Sequence, residues 1–185
     1  MRIVKNLRAD QEVIKRYLAA LGGGSVVLSM NKHARPSFFI FAHSFITEYI
    51  EAGFFKKEEL LIKALEAGGF PPDEGPIGLM RADQQKSRAA AEQLTTAAKQ
   101  WQGGNEEARG EVSWAASEYA SILRQHLERL KNLIIPLLEQ NLSTEDEQKI
   151  AEGLNTLVFE DALKNDPNKY IKQIETLEEE LADWR

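Results

Sequence analysis

Between its glycine and proline punctuation, the chain carries apolar residues at alternating steps of three and four, and that rhythm excludes most folds at once. Val4, Leu7, Ile14, Leu18 and Leu21 keep it in a first block, predicted from about Val4 to Leu21 and stopped by Gly22-Gly23-Gly24. Steps of three and four place side chains on one face of a helix. Strand-like alternation of useful length is missing; Ser25 to Met30 is briefly β-like (Val26, Val27, Leu28) and reads as a semi-apolar loop. Pro36, suited to a first helical turn, opens a second block reaching about Ala67, with Gly53 marking a kink. A third block runs from about Pro76 to Trp101, and a fourth from about Glu106 to Gln140, kinked or ended by Pro136. Four long helices with short connections predict an all-α, up-down-up-down antiparallel four-helix bundle over residues 1–141. Ser143, with Asp146 three residues on, should cap a fifth helix, and Asn165-Asp166-Pro167 should open a last one ending near Trp184. Residues 142–185 are therefore expected as a helical extension packed on the bundle.

Each apolar stripe carries a polar residue. Gln11 completes the first series. In the second, His43, Ile46, Ile50, Phe54, Leu61 and Leu65 form the stripe, and Glu58 lies on it. Gln84 and Ser87 fill the third, between Ile77, Met80, Ala91, Leu94, Ala98 and Trp101. In the fourth, His126 sits among Ile122, Leu130, Leu133 and Leu137. An unpartnered buried polar group costs about 1–3 kcal/mol, and a charge more, so four scattered ones would be expensive. They are tolerable if they converge, pair, or line a solvated pocket.

Composition narrows the chemistry. With 185 residues the chain can bury a real core, and its zero cysteines exclude a disulfide framework, a thiolate metal site and a cysteine nucleophile. Three histidines limit imidazole-rich metal chemistry. A formal charge of −6 argues against a nucleic-acid partner, which calls for a basic face. Neither a bilayer-spanning apolar run nor a secretory signal is evident, so a cytoplasmic protein without membrane contact is expected. The run Glu178-Glu179-Glu180 reads as a solvated face, and Trp101, Trp114 and Trp184 as packing anchors.

With their local sequences, the stripes resemble the hemerythrin-like HHE cation-binding family over nearly the whole chain. The most specific stretch is Lys63-Ala64-Leu65-Glu66-Ala67-Gly68-Gly69-Phe70-Pro71, followed by Gly75-Pro76-Ile77-Gly78-Leu79-Met80. It is similar to the family's loop and third-helix start, which leads to an acidic-His pair and then an Arg; here these are Asp83-Gln84 and Arg88. In the first helix the acidic-His pair ahead of an Ile becomes Asp10-Gln11 with Ile14. The second helix aligns with a ligand-type His at Phe54 and its carboxylate at Glu58, or one residue later at Phe55 and Glu59. In the fourth, His126 matches a His followed four residues on by Glu, which is Leu130 here, with Pro136 beyond. The tail, from Leu142-Ser143 through Phe159-Glu160 to Tyr170 and Leu177, follows the family's longer form.

The resemblance implies a bundle that holds a non-haem iron pair between its helices. Of the six positions it carries over, Glu58 and His126 keep ligand chemistry, whereas Gln11, Phe54, Gln84 and Leu130 do not. Such a site needs several imidazole and carboxylate ligands, so no metal and no other cofactor is expected. His33, in a loop, and His43, at another bundle level, are not placed to compensate. Gln11, Phe54, Glu58, Gln84, His126 and Leu130 are then candidates to bind a small, partly apolar molecule in the bundle core. Alternatives are an enzyme using Glu58 and His126 for proton transfer, a residual mononuclear metal site on the same two residues, and an interaction module docking through the acidic last helix. Whether the interior is a pocket or a closed polar core, and how the chain oligomerises, stay open.

Overall fold

A computed structural model describes residues 1–30 and 33–184. Among them there is no strand; the elements are α1 (Arg2–Met30), α2 (Pro36–Phe45), a π-helical segment (Ile46–Phe54), α3 (Phe55–Ala67), α4 (Gly75–Gln102), α5 (Ala108–Arg129), a second π segment (Leu130–Ile134), α6 (Ile135–Asn141), α7 (Thr144–Lys164) and α8 (Lys169–Trp184). The π segments join α2 to α3 and α5 to α6 without a break. The bundle is therefore four-helical, up-down-up-down: α1, α2–α3, α4 and α5–α6. On it lie α7, against α3 and α1, and α8, against α1 and α2.

The glycine triplet does not end α1, which continues to Met30 and takes in the expected loop from Ser25. Glycine serves close approach here: a Cβ on Gly24 would lie 2.4 Å from Cε1 of the fully buried Phe38 of α2. Helical glycine costs about 1 kcal/mol, and packing against α2 and α5 carries the helix through it. Ser25 Oγ donates to the Ser113 carbonyl of α5 at 2.6 Å, tying that stretch down.

The π segments have a readable cause. Ile46, Ile50, Phe54 and Glu58 are spaced by four only, and in a regular α-helix each such step drifts by about 40°. Wider turns hold all four inside, and the Phe55 amide reaches back five residues to the Ile50 carbonyl. The series His126, Leu130, Ile134, Leu138 repeats the pattern, with the Ile135 amide on the Leu130 carbonyl. Pro136, which has no amide hydrogen to donate, follows directly. The extra residue moves the following part of the fourth stripe by one position: Leu133 is exposed and Leu137 half-buried, while Ile134 and Leu138 take the core places; ahead of it, Leu123 rather than the half-buried Ile122 faces the core.

Ser143 caps α7 as expected: its Oγ accepts the Asp146 amide at 3.1 Å, and the Asp146 carboxylate faces the Ser143 amide. A Cβ on Gly153 would lie 2.6 Å from Cδ2 of Leu60, so α7 sits close on α3. The acidic run in α8 is not simply solvated; Glu178 is paired with Arg16 at 2.5 Å and Glu180 with Arg35 at 3.7 Å. Trp101 and Trp184 are packed inside, but Trp114 is 57% exposed and anchors nothing. No helix among the described residues is long and apolar enough to cross a membrane.

Candidate functional site

Glu58 stands in the first turn of α3, directly after the first π segment, and is completely buried. Gln84 of α4 donates from Nε2 to Glu58 Oε1 at 3.0 Å. His126, in the last turn of α5, meets the other oxygen, Nε2 to Oε2, at 2.5 Å. The remaining ring nitrogen, Nδ1, faces Asp83 Oδ2 at 3.1 Å, and Arg129, one turn beyond His126, pairs with Asp83 Oδ1. The result is a line of alternating charge, Glu58–His126–Asp83–Arg129, that begins in the core and ends at a partly exposed guanidinium.

Electrostatics follow from this order. Burial alone would lower the His126 pKa, but the Glu58 charge and the hydrogen bonds to Asp83 and Glu58 outweigh it and raise the imidazole to about 9. It is protonated at neutral pH. Burial likewise pushes the Asp83 carboxyl up, yet hydrogen bonds from His126 and Arg129 hold it below the usual range. Phe55 presents its ring edge-on to the imidazole, centroids 5.8 Å apart, and Arg88 covers Phe55 at 5.6 Å.

Glu58, Gln84 and His126 thus converge. Gln11 is buried on α1, but its Nε2 has no hydrogen-bond partner. Leu130 is buried one turn after His126. Phe54 is also buried, and it lines a cleft that includes neither Phe55 nor His126. Burial separates the two candidate carboxylates, Glu58 pointing in and Glu59 turning outward to Arg81 at 3.6 Å, but both aromatics are buried and it is Phe55 that meets His126. His33 is exposed and His43 half-buried, and neither joins the network.

Asp83 and Arg129 were not among the expected site residues. The available signal was that each inward glutamine follows an aspartate, Asp10-Gln11 and Asp83-Gln84. Asp10 has a matching part: it takes Lys57 Nζ at 2.6 Å and the Tyr49 hydroxyl at 2.8 Å. Lys57 precedes Glu58, so α3 sends one residue into the core network and its neighbour into this second one.

In a comparison against protein families, the hemerythrin HHE cation binding domain matches residues 2–138. The chain belongs to the hemerythrin HHE cation-binding domain family. No curated protein and no solved structure matches it. The family's name implies a bound cation, and the residues present do not fit one. Among the described residues, no group of three or more His, Cys, Asp or Glu side chains is placed to hold a metal ion. His126 has both ring nitrogens engaged by carboxylates, Glu58 has both oxygens engaged, and the neighbouring donor is the neutral amide of Gln84.

Proposed function

We propose that this protein is a hemerythrin-type bundle that works without iron as a small-molecule-binding protein, its former metal centre rebuilt as a closed charge network. The observation that carries this reading is the double engagement of His126, at 2.5 Å to Glu58 and 3.1 Å to Asp83. A buried carboxylate left by a lost metal would be strongly destabilising alone; here a cation and an amide donor compensate it. Phe54, Gln11 and Leu130, which make no hydrogen bond to that network, put apolar bulk or an amide at positions where the family resemblance implies imidazole or carboxylate. Of the six candidate residues, Phe54 borders open space, so ligand access is assigned to that side.

The test is metal content. Protein purified without chelator, then incubated anaerobically with ferrous iron and desalted, should carry far less than stoichiometric iron and keep its melting temperature. Stoichiometric iron with a raised melting temperature refutes the reading. The short Glu58–His126 bond also suits proton transfer. That second reading is weaker because the two side chains occupy each other, each already engaged by a partner within the core.

A further inference from the structure

A cleft of about 380 Å³ lies between the first π segment, the start of α1, the end of α7 and the start of α8. That volume suits a small ligand. Its wall includes the rings of Tyr49, Phe54 and Tyr170, with Tyr49 and Tyr170 edge-to-face at 4.9 Å. Around them stand four carboxylates, Asp10, Glu48, Glu160 and Asp161, against two lysines, Lys57 and Lys164. The lining is therefore net negative.

Several of these charges are already spent. Asp10 holds Lys57 at 2.6 Å, and Glu48 holds Lys169 at 3.0 Å. Lys169 Nζ also lies 5.7 Å from the Tyr170 ring centroid, so one ammonium of the chain itself rests between a carboxylate and a tyrosine face at this rim. Asp161 makes no ion pair among the described residues; its Oδ1 accepts from the Asn165 amide at 2.8 Å. Its negative charge nonetheless reaches both phenols, contributing to the raised pKa of Tyr49 and Tyr170, in each of which burial is the larger cause. Asn6, which also lines the cleft, has a buried Oδ1 acceptor with no partner. An uncompensated carboxylate beside aromatic rings asks for a cation on an apolar body, and the unpaired Asn6 acceptor asks that the cation carry an N–H.

We infer that this cleft binds an organic cation, a protonated amine on an apolar or aromatic body, held by the Tyr49–Phe54–Tyr170 wall, donating to Asn6 and countered by Asp161. This rests on the binding-protein reading and names its ligand class. Phe54 connects the two sites, since the π turn that buries it also places it at the cleft.

The experiment is isothermal titration calorimetry of the full chain with benzylammonium, benzoate and benzyl alcohol as probes of one body and three charges. The ammonium should bind saturably, more weakly as salt rises, with benzyl alcohol and benzoate weaker or silent. Asp161→Asn, on an exposed side chain, should weaken the ammonium about tenfold without changing the melting temperature. Saturable benzoate binding in preference to the ammonium would overturn the ligand class and leave the binding-protein reading standing. Ammonium binding unaffected by Asp161→Asn would overturn the assigned place. Failure of all three probes overturns the inference, and the iron measurement on the same protein decides the metal-free reading separately.

Discussion

If His126 is held as an imidazolium between Glu58 and Asp83, folding stability must fall as pH rises. The unfolded chain releases this proton near the usual 6.5, and the folded one near about 9. At about 1.4 kcal/mol per pH unit, that interval amounts to roughly 3 kcal/mol. Because the folded pKa is the higher one, the stabilisation is complete below the unfolded value, declines between 6.5 and about 9, and is absent above it. Urea unfolding at constant ionic strength, followed across that window, should therefore show a falling midpoint with an unchanged slope. With only three histidines, proton NMR can assign the titration. His43 should titrate low, because burial and Lys99 lower it, and the highest-titrating imidazole should vanish in His126→Gln. Glu58→Gln keeps the shape and removes the charge that opposes burial most strongly, so the His126 midpoint should drop and most of the pH dependence with it. A wild-type His126 midpoint at or below 6.5, or equal stability at the two ends of the window, would refute the charge line.

Further outcomes follow from the packing. Gly22→Ala should stabilise by up to about 1 kcal/mol, since its Cβ would meet only Arg124 Nη2 at 3.5 Å; Gly24→Ala should destabilise by about 1 kcal/mol, since its Cβ would strike the buried Phe38 ring at 2.4 Å. Urea denaturation of the two variants, two residues apart in one helix, reads the opposite signs; a shared sign would contradict the close-approach account. Ser143→Ala should cost about 1 kcal/mol, seen as faster amide exchange at the start of α7 with the bundle unaffected; unchanged exchange there would mean that the capping box carries no weight. Glu58→Leu or His126→Leu alone should cost about 3–5 kcal/mol, with the double variant costing clearly less than their sum. Additive losses would mean that the pair is not coupled.

The helical architecture was open to reading because its periodicity is redundant: the stripes of α1 and α4 keep three-and-four spacing from end to end, and all the residues expected on them to be buried are. The glycine triplet misled for a local reason. A breaker and a close-approach site look alike until the partner, Phe38, is known. The fourth stripe slipped by one residue because a period of 3.6 was applied across a wider turn. The run of four-residue steps through His126, Leu130, Ile134 and Leu138 carried that information, with Pro136 beside it.

The convergence of Glu58, Gln84 and His126 was legible because each lies on a core stripe of a different helix. Asp83 was harder, since it sits next to a stripe residue and becomes buried only because His126 and Arg129 reach it from α5. A carboxylate at the edge of a stripe is ordinarily solvated, and its burial here depends on cations one helical turn apart on a neighbour. The same logic explains why Glu58 and His126 persist where other metal-type residues do not. Either one alone would be a buried, uncompensated charge or a donor without an acceptor, so the two can be lost together far more cheaply than singly. Their retention is therefore a physical consequence of their pairing and says nothing by itself for iron. What the bundle gains is a neutral, hydrogen-bonded line joining α3, α4 and α5, while the second arm, Asp10 with Lys57 and Tyr49, joins α1 to the turn that lines the cleft.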